Sequence, residues 1–314
     1  MTASAGSGAA DPRCLLLVAP SPRLAAAATE AGFRVVTVAD TAGFTDEDLR
    51  AHLRNTVLTH QVDRLVACGE ASTHPAVLET AEELGLSPNP ASASRLLADA
   101  AEVRKLLNRS GPPWRALALP DETEKPPLRD VGYGVETLTV EGMHRVTGIV
   151  EFRFGDGSSA DATTPGAGLA VHTFPAPITV AEEAEIRALA TGLLDLVGYE
   201  FGYAFIRVAR TGQGLRLVDA EPRQASWPVS RLIELTTGLV AERELIRALS
   251  GKPLKAAMPV GCAAALPLPD PPGAPGRITA PTDVREARDG YVLLTALTPA
   301  ELAARTAAVR GCPA

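Results

Sequence analysis

Three short runs, Cys14–Ala19, Arg34–Ala39 and Asp63–Cys68, are apolar or β-branched through most of their length. Strands without polar alternation have both faces covered, as in a parallel sheet with helices on either side. Between these runs, apolar residues recur at helical spacing. Ser21–Ala31 carries Pro22 near its start and closes at Gly32. Thr45–Leu58 opens with Thr45 as N-cap and Asp46, Glu47 and Asp48 in its first turn. Thr73–Leu84 has Pro75 in its first turn and ends at Gly85. The alternation predicts a small doubly wound α/β unit of roughly 90 residues, close to the minimum for that architecture.

The pattern then changes. Leu96, Leu97, Ala100, Val103 and Leu107 predict one long helix over Ser92–Arg109, stopped by Gly111-Pro112-Pro113. Residues 115–132 are rich in proline and glycine and irregular. Tyr133–Val140 and His144–Phe154 alternate like an antiparallel hairpin turning at Glu141-Gly142, with Gly155-Asp156-Gly157 as a further turn. Val180–Leu196 reads as an amphipathic helix. Tyr203–Ala209 and Leu215–Ala220 read as a second hairpin around Gly212–Gly214. Helices are predicted over Val229–Thr236 and Val240–Ser250. Pro267–Pro275 reads as a linker, and Ile278 onward as a small tail with a last helix over Pro299–Val309.

Composition narrows the function classes. The chain has 314 residues, of which 46% are hydrophobic, enough for a sizeable core and two ordinary domains. A net charge of −7 and 4% aromatics argue against a nucleic-acid partner, which needs a basic face. No apolar run approaches the roughly 18 residues of a membrane span. The first residues lack a basic n-region, so a cytoplasmic location is expected. Cys14, Cys68, Cys262 and Cys312 are too dispersed for a disulfide framework or a zinc site, and the histidines show no ligand spacing. Only four of the 30 basic residues are lysines (105, 125, 252 and 255), a bias that fits a GC-rich genome.

Three stretches carry chemistry in their order. The first is Ala98–Leu107 running to Gly111-Pro112. The second is Tyr133–Gly142 with His144–Val150. The third is Gly198–Val208 followed by Leu217-Val-Asp219-Ala-Glu221-Pro-Arg223. His172-Thr-Phe-Pro-Ala176 and Leu235–Leu239 add to them. Together they resemble the ATP-grasp superfamily, specifically its carboxylate–amine and amino-acid ligases, over most of residues 14–252. Residues 1–10, rich in alanine, glycine and serine, read as a disordered tail, and the resemblance implies a Rossmann-like pre-ATP-grasp domain over 11–91. It further implies an ATP-grasp-like antiparallel α+β domain over 92–260 that lacks most of the lid, then a proline-rich linker and small C-terminal α/β tail over 261–314.

The departures matter most. The phosphate-contacting lysine of the family falls at Ala100, and the lid shrinks to Leu119–Val131, with Lys125-Pro126 as a remnant of its Lys-Pro pair. The first metal-binding acid falls at Arg207, the second at Asp219 and the third at Glu221. Arg223 matches the family's phosphate-contacting arginine. Asp219 and Glu221, two apart on a strand, point to one face and would be the Mg²⁺ ligands. Arg207 opposite them would form a bidentate ion pair and exclude the metal. A triphosphate, with about four negative charges, needs cations, amides and Mg²⁺ to offset its desolvation.

The resemblance with these losses implies a degenerate ATP-grasp protein without ATP or Mg²⁺. It would be repurposed for a small carboxylate or amino-acid-like ligand, or for support of a partner enzyme, with bacterial secondary metabolism as the expected setting and a homodimer as one form. Arg223 and Arg207 would hold the carboxylate, Asp219 or Glu221 would serve as base, and His172 as acid. The alternative is an active ATP- and Mg²⁺-dependent ligase that forms an acyl-phosphate, with Arg104, Lys105 and Lys125 replacing the lost phosphate contacts.

Overall fold

Cys14–Val18 (β1) pairs in parallel with Arg34–Val38 (β2) on one side and Arg64–Ala67 (β3) on the other. The computed structural model describes residues 13–118, 131–153, 171–256, 258–267, 284–288 and 290–311. Helix α1 (Pro22–Glu30) is capped by Ser21, whose hydroxyl accepts from the Leu24 amide. Helix α2 (Asp46–His60) is capped by Thr45, accepting from the Asp48 amide. Helix α3 (Pro75–Glu83) follows a 3₁₀ turn over Gly69–Thr73. The predicted parallel unit is present, and Leu15, Leu16 and Leu17 of β1 are fully buried between its helices.

The predicted long helix is two helices, α4 (Ala91–Ala98) and α5 (Ala100–Arg109). Asp99 breaks it: its backbone is extended, and its carboxylate accepts from the Ala101 and Glu102 amides. An aspartate gains more as an N-cap than inside a helix, where its side chain competes with the backbone. The Gly-Pro-Pro stop opens a further short helix, α6 (Pro112–Arg115). The Trp114 ring of α6 packs on Gly192, where a Cβ would lie 2.7 Å from the indole.

The second sheet has eight strands: β4 (Val131–Val140), β5 (Met143–Arg153), β6 (Val171–Phe174), β7 (Phe201–Thr211), β8 (Gly214–Glu221), β9 (Cys262–Pro267), β10 (Val284–Arg288) and β11 (Tyr291–Ala296). All neighbours are antiparallel, in the order β10-β11-β9-β6-β5-β4-β7-β8. Both predicted hairpins are present. The expected boundary at 260/261 falls inside this sheet, because the buried run Cys262–Leu266 enters it as β9, between β6 and β11. The expected tail over 1–10, the Gly155–Gly157 turn and the proline-rich residues 268–275 lie outside the described residues.

One face of the sheet is covered by α7 (Val180–Val197), whose Ile186, Leu189 and Leu193 share a core with Val135, Ile206 and Val208. The other face carries α8 (Val229–Thr237), whose Val229, Leu232 and Ile233 pack with Val150, Phe152 and Phe205. Helix α9 (Ala241–Leu249) joins the two sheets, packing Ile246 and Leu249 with Leu15, Leu24 and Phe201. Asn89 closes the same seam: its Oδ1 accepts from the amides of Glu200 and Phe201, and its amide donates to the Phe201 carbonyl. Helix α10 (Pro299–Gly311) backs β9 and β11. No described helix is long and apolar enough to cross a membrane.

Gly134, in the middle of β4, is enclosed by two rings: a Cβ there would lie 2.5 Å from Phe205 and 2.6 Å from Phe152. Both rings are buried, so neither can swing away. Gly134→Ala is expected to destabilise the fold by about 1–3 kcal/mol, the usual range for overpacking, measured by urea denaturation with an unchanged m-value.

Candidate functional site

Strand register places Arg207 of β7 directly opposite Asp219 of β8. The guanidinium and carboxylate form a bidentate pair, with Nε donating to Oδ1 at 2.7 Å and Nη2 donating to Oδ2. Burial disfavours the Arg207 charge, but the hydrogen bond and charge of Asp219 outweigh it and raise the pKa. Glu221, two residues further on, shares the face of Asp219 by strand alternation. Its Oε2 lies 2.6 Å from Nη2 of Arg223. The predicted cluster of Arg207, Asp219, Glu221 and Arg223 is therefore assembled, as two ion pairs side by side.

The other predicted residues are scattered. Ala100 and Arg104 of α5 line a narrow indentation with Leu217 and Asp219, so Arg104 does reach the cluster. Lys105 points away and pairs with Glu102 on its own helix at 2.6 Å. Lys125, and with it the lid segment, lies outside the described residues. His172 stands on β6, four strands from β8, roughly 19 Å at the usual strand spacing. Its Nε2 meets the Tyr291 hydroxyl at 3.1 Å, and Phe152 packs edge-on to its ring. Burial lowers its pKa to about 4, so it is neutral at pH 7. It is placed to serve as neither the acid partner nor a neighbour of Asp219, because its strand packs it into the aromatic core instead.

A cleft of about 440 Å³ opens beside the cluster. Its floor is the carboxyl ends of β1 and β3, with Ala19, Cys68 and Gly69. Its walls are Tyr203, the 222–225 loop and Glu242 of α9. The carboxyl edge of an open α/β sheet is where ligands of such folds bind. Arg223 brings a cation to this cleft and Glu242 an anion. Burial pushes the Cys68 thiol up to about 12, so it is no thiolate nucleophile.

One residue of this region escaped the sequence reading. Glu136 of β4 is 2% exposed. Its Oε1 accepts from the Thr147 hydroxyl and its Oε2 from the Ala225 amide, each at 3.1 Å. Burial raises its pKa to about 7, against the lowering effect of these two bonds, and the Glu242 charge adds to the rise. The available signal was an acid between Val135 and Thr137 in a strand covered on both faces.

The donors do not fit a magnesium ion as they stand. Asp219 gives both oxygens to Arg207, and an oxygen of Glu221 is held by Arg223. A divalent cation would share this space with two guanidinium groups. Among the described residues, no three His, Cys, Asp or Glu side chains converge as a metal-binding group.

No protein-family model and no curated protein sequence matches the chain. Solved structures do match. L-amino acid ligase from Bacillus licheniformis superposes with a TM-score of 0.71 at 14% identity, over 96% of this chain and 97% of that one. Phosphoribosylglycinamide synthetase from Anaerococcus prevotii gives 0.64 at 9% identity, over 96% and 98%. Biotin carboxylase from Campylobacter jejuni, solved with β-γ-ATP, gives 0.59 at 11% identity, over 94% and 90%. The chain has the ATP-grasp fold: a small parallel sheet followed by a larger antiparallel one.

The buried acid has a measurable consequence. Between about pH 4.5 and 7 the folded state keeps the Glu136 proton while the unfolded chain releases it. Stability attributable to Glu136 is therefore full at low pH and lost as pH rises through that window, by roughly 3 kcal/mol at most. His172 acts oppositely, since its proton is lost on folding between about pH 4 and 6.5. The stability of Glu136→Gln relative to the parent is expected to rise with pH up to about 7, in urea melts at matched ionic strength.

Proposed function

We propose that the chain uses the ATP-grasp scaffold to bind a small carboxylate of amino-acid type in the cleft, and that ATP-driven ligation has been lost. The observation that carries this reading is the bidentate Arg207–Asp219 pair, at the register where the family resemblance expects two metal-binding acids. Ala100 in place of a phosphate-contacting lysine supports it. Phosphoryl transfer depends almost wholly on positioning and charge stabilisation, so cations and metal ligands lost together are not replaced by the fold alone.

In the cleft, a ligand carboxylate would meet the Arg223 guanidinium, and a ligand ammonium would meet Glu242. Arg223 is held in place by Glu221, which orients its fork. The apolar remainder of the lining, including Leu24 and Phe201, suits a short side chain. The bound ligand could be the end in itself or a means of supporting a partner enzyme or a second copy of the chain.

The second reading is an ATP- and Mg²⁺-dependent ligase. It is favoured by Arg104 beside Asp219 and by the enzymes that share the fold. Calorimetric titration separates the two. Mg²⁺–ATP and Mg²⁺–ADP are expected to give no heat at millimolar concentration, while an amino acid or dipeptide shifts the melting temperature and Arg223→Ala removes that shift. Micromolar nucleotide binding that requires Mg²⁺ and disappears in Asp219→Ala overturns the proposal in favour of the ligase.

A further inference from the structure

The loop between β8 and α8 forms one wall of the cleft through Pro222, Arg223, Gln224 and Ala225. Its backbone is tied to the sheet at Ala225, whose amide donates to Glu136, 89 residues away in sequence. We propose that Glu136 is a positioning residue for the cleft: its buried carboxylate holds the 222–225 loop, and uptake of a proton loosens that hold. The role in ligand binding rests on the cleft being the ligand site; the tie between Glu136 and the loop does not.

The partners of Glu136 are matched to its charged form. An ionised carboxylate only accepts hydrogen bonds, and both oxygens face donors. Protonation puts a hydrogen on one of these oxygens. The Thr147 hydroxyl can turn to accept it, since Thr147 already reaches the Glu136 carbonyl at 3.2 Å. The Ala225 amide cannot reverse. Its bond then goes to a neutral carboxyl group, and charge-assisted bonds are roughly twice as strong as neutral ones.

The surroundings make that proton available near neutral pH. On β7, Phe205 stands opposite Glu136 and Gly148 of β5 stands on its other side. Ile233 of α8 covers Gly148. The charged group that acts on Glu136 is Glu242 of α9, which raises its pKa; Tyr203 of β7 is in turn raised by burial first and then by Glu136, Glu244 and Glu242. Helix α8 presents its charges elsewhere, Arg231 and Glu234 pairing with each other and with Glu286 and Arg23. Glu242 also lines the cleft. A cationic group bound beside Glu242 would cancel its charge, drive the proton off Glu136 and tighten the loop. Ligand binding and proton release are thereby coupled, and affinity for a cation-bearing ligand rises with pH.

A native reporter sits two residues beyond Ala225. The Trp227 indole donates to the Arg288 carbonyl at 3.3 Å, so movement of the loop alters its environment. The emission of the full-length protein is followed from pH 5 to 9 without ligand, with Trp227→Phe as the blank. One transition is expected, centred near pH 7 and absent from Glu136→Gln. Thr147→Val removes a bond to the charged form and should move the midpoint up, and Glu242→Gln removes a like charge and should move it down. A Glu136 that does not hold the loop would titrate and shift stability with pH while leaving the Trp227 emission unchanged. A transition that survives in Glu136→Gln, one that is missing from the parent, or two shifts of the same sign overturns the proposal. Should Glu136→Gln fail to fold, the other two variants still decide it. An intact titration beside a failed ligand survey upholds the loop tie and removes only the cleft's assignment as ligand site.

Discussion

In a sheet packed on both faces, burying a polar side chain without a partner costs more than most single contacts return. Strands β4, β5 and β7 lie between α7 and α8, and the polar residues they carry are drawn into specific bonds. Thr137 donates to the Ala204 carbonyl at 3.2 Å across the β4–β7 ladder. Glu151 takes the Arg153 guanidinium at 2.7 Å. Glu136 has no cation at hand and is satisfied by a hydroxyl and a backbone amide. That amide belongs to the loop that leads from β8 into α8, so one buried acid fixes where the covering helix begins. The same loop is a wall of the cleft, and the helix that follows it packs Val229, Leu232 and Ile233 against the sheet.

The edge of the same sheet obeys the opposite rule. Arg207, Asp219, Glu221 and Arg223 are partly open to water, and each takes an oppositely charged neighbour. With Arg104 beside Asp219, three cations stand with two anions. In such a cluster the Asp219 carboxylate and an oxygen of Glu221 are already engaged by guanidinium groups. One change, an arginine where an acid is expected, shifts the local charge by two and also occupies the remaining acid. The register of the two strands is held by their backbone ladder, to which this partly exposed ion pair adds little.

Much of this was legible along the chain. The apolar runs gave the parallel unit, and strand alternation with Gly-containing turns gave both hairpins. The pairing of Arg207 with Asp219 followed from aligning two strands. The misses have physical causes. Asp99 looks like one more polar residue on a helical face, and only its capping bonds show that it ends one helix and starts another. The strand at Cys262–Leu266 is alanine-rich and framed by prolines, so its burial depends on neighbours far away in sequence. His172 could be placed on a motif but not within the sheet, and the strand order carries it away from Asp219. Glu136 is invisible without burial, since an acid in a strand is ordinarily a solvated one.

Arg223 belongs to both regions. It pairs with Glu221 at the sheet edge and also lines the cleft. A ligand carboxylate that engages its guanidinium therefore competes with Glu221 for the same donors, unless it takes the face that Glu221 leaves open. Five N–H groups in a planar fork allow both acids to be served at once. In that arrangement Glu221 orients the fork and lowers its entropy cost, and Arg104 beside Asp219 offsets the charge of the added carboxylate. On the other side of the cleft stands Glu242, whose Oε1 is 3.9 Å from Nε of Arg23. The cleft thus carries a guanidinium on one wall and a carboxylate on another, the complement of a zwitterion such as the proposed ligand.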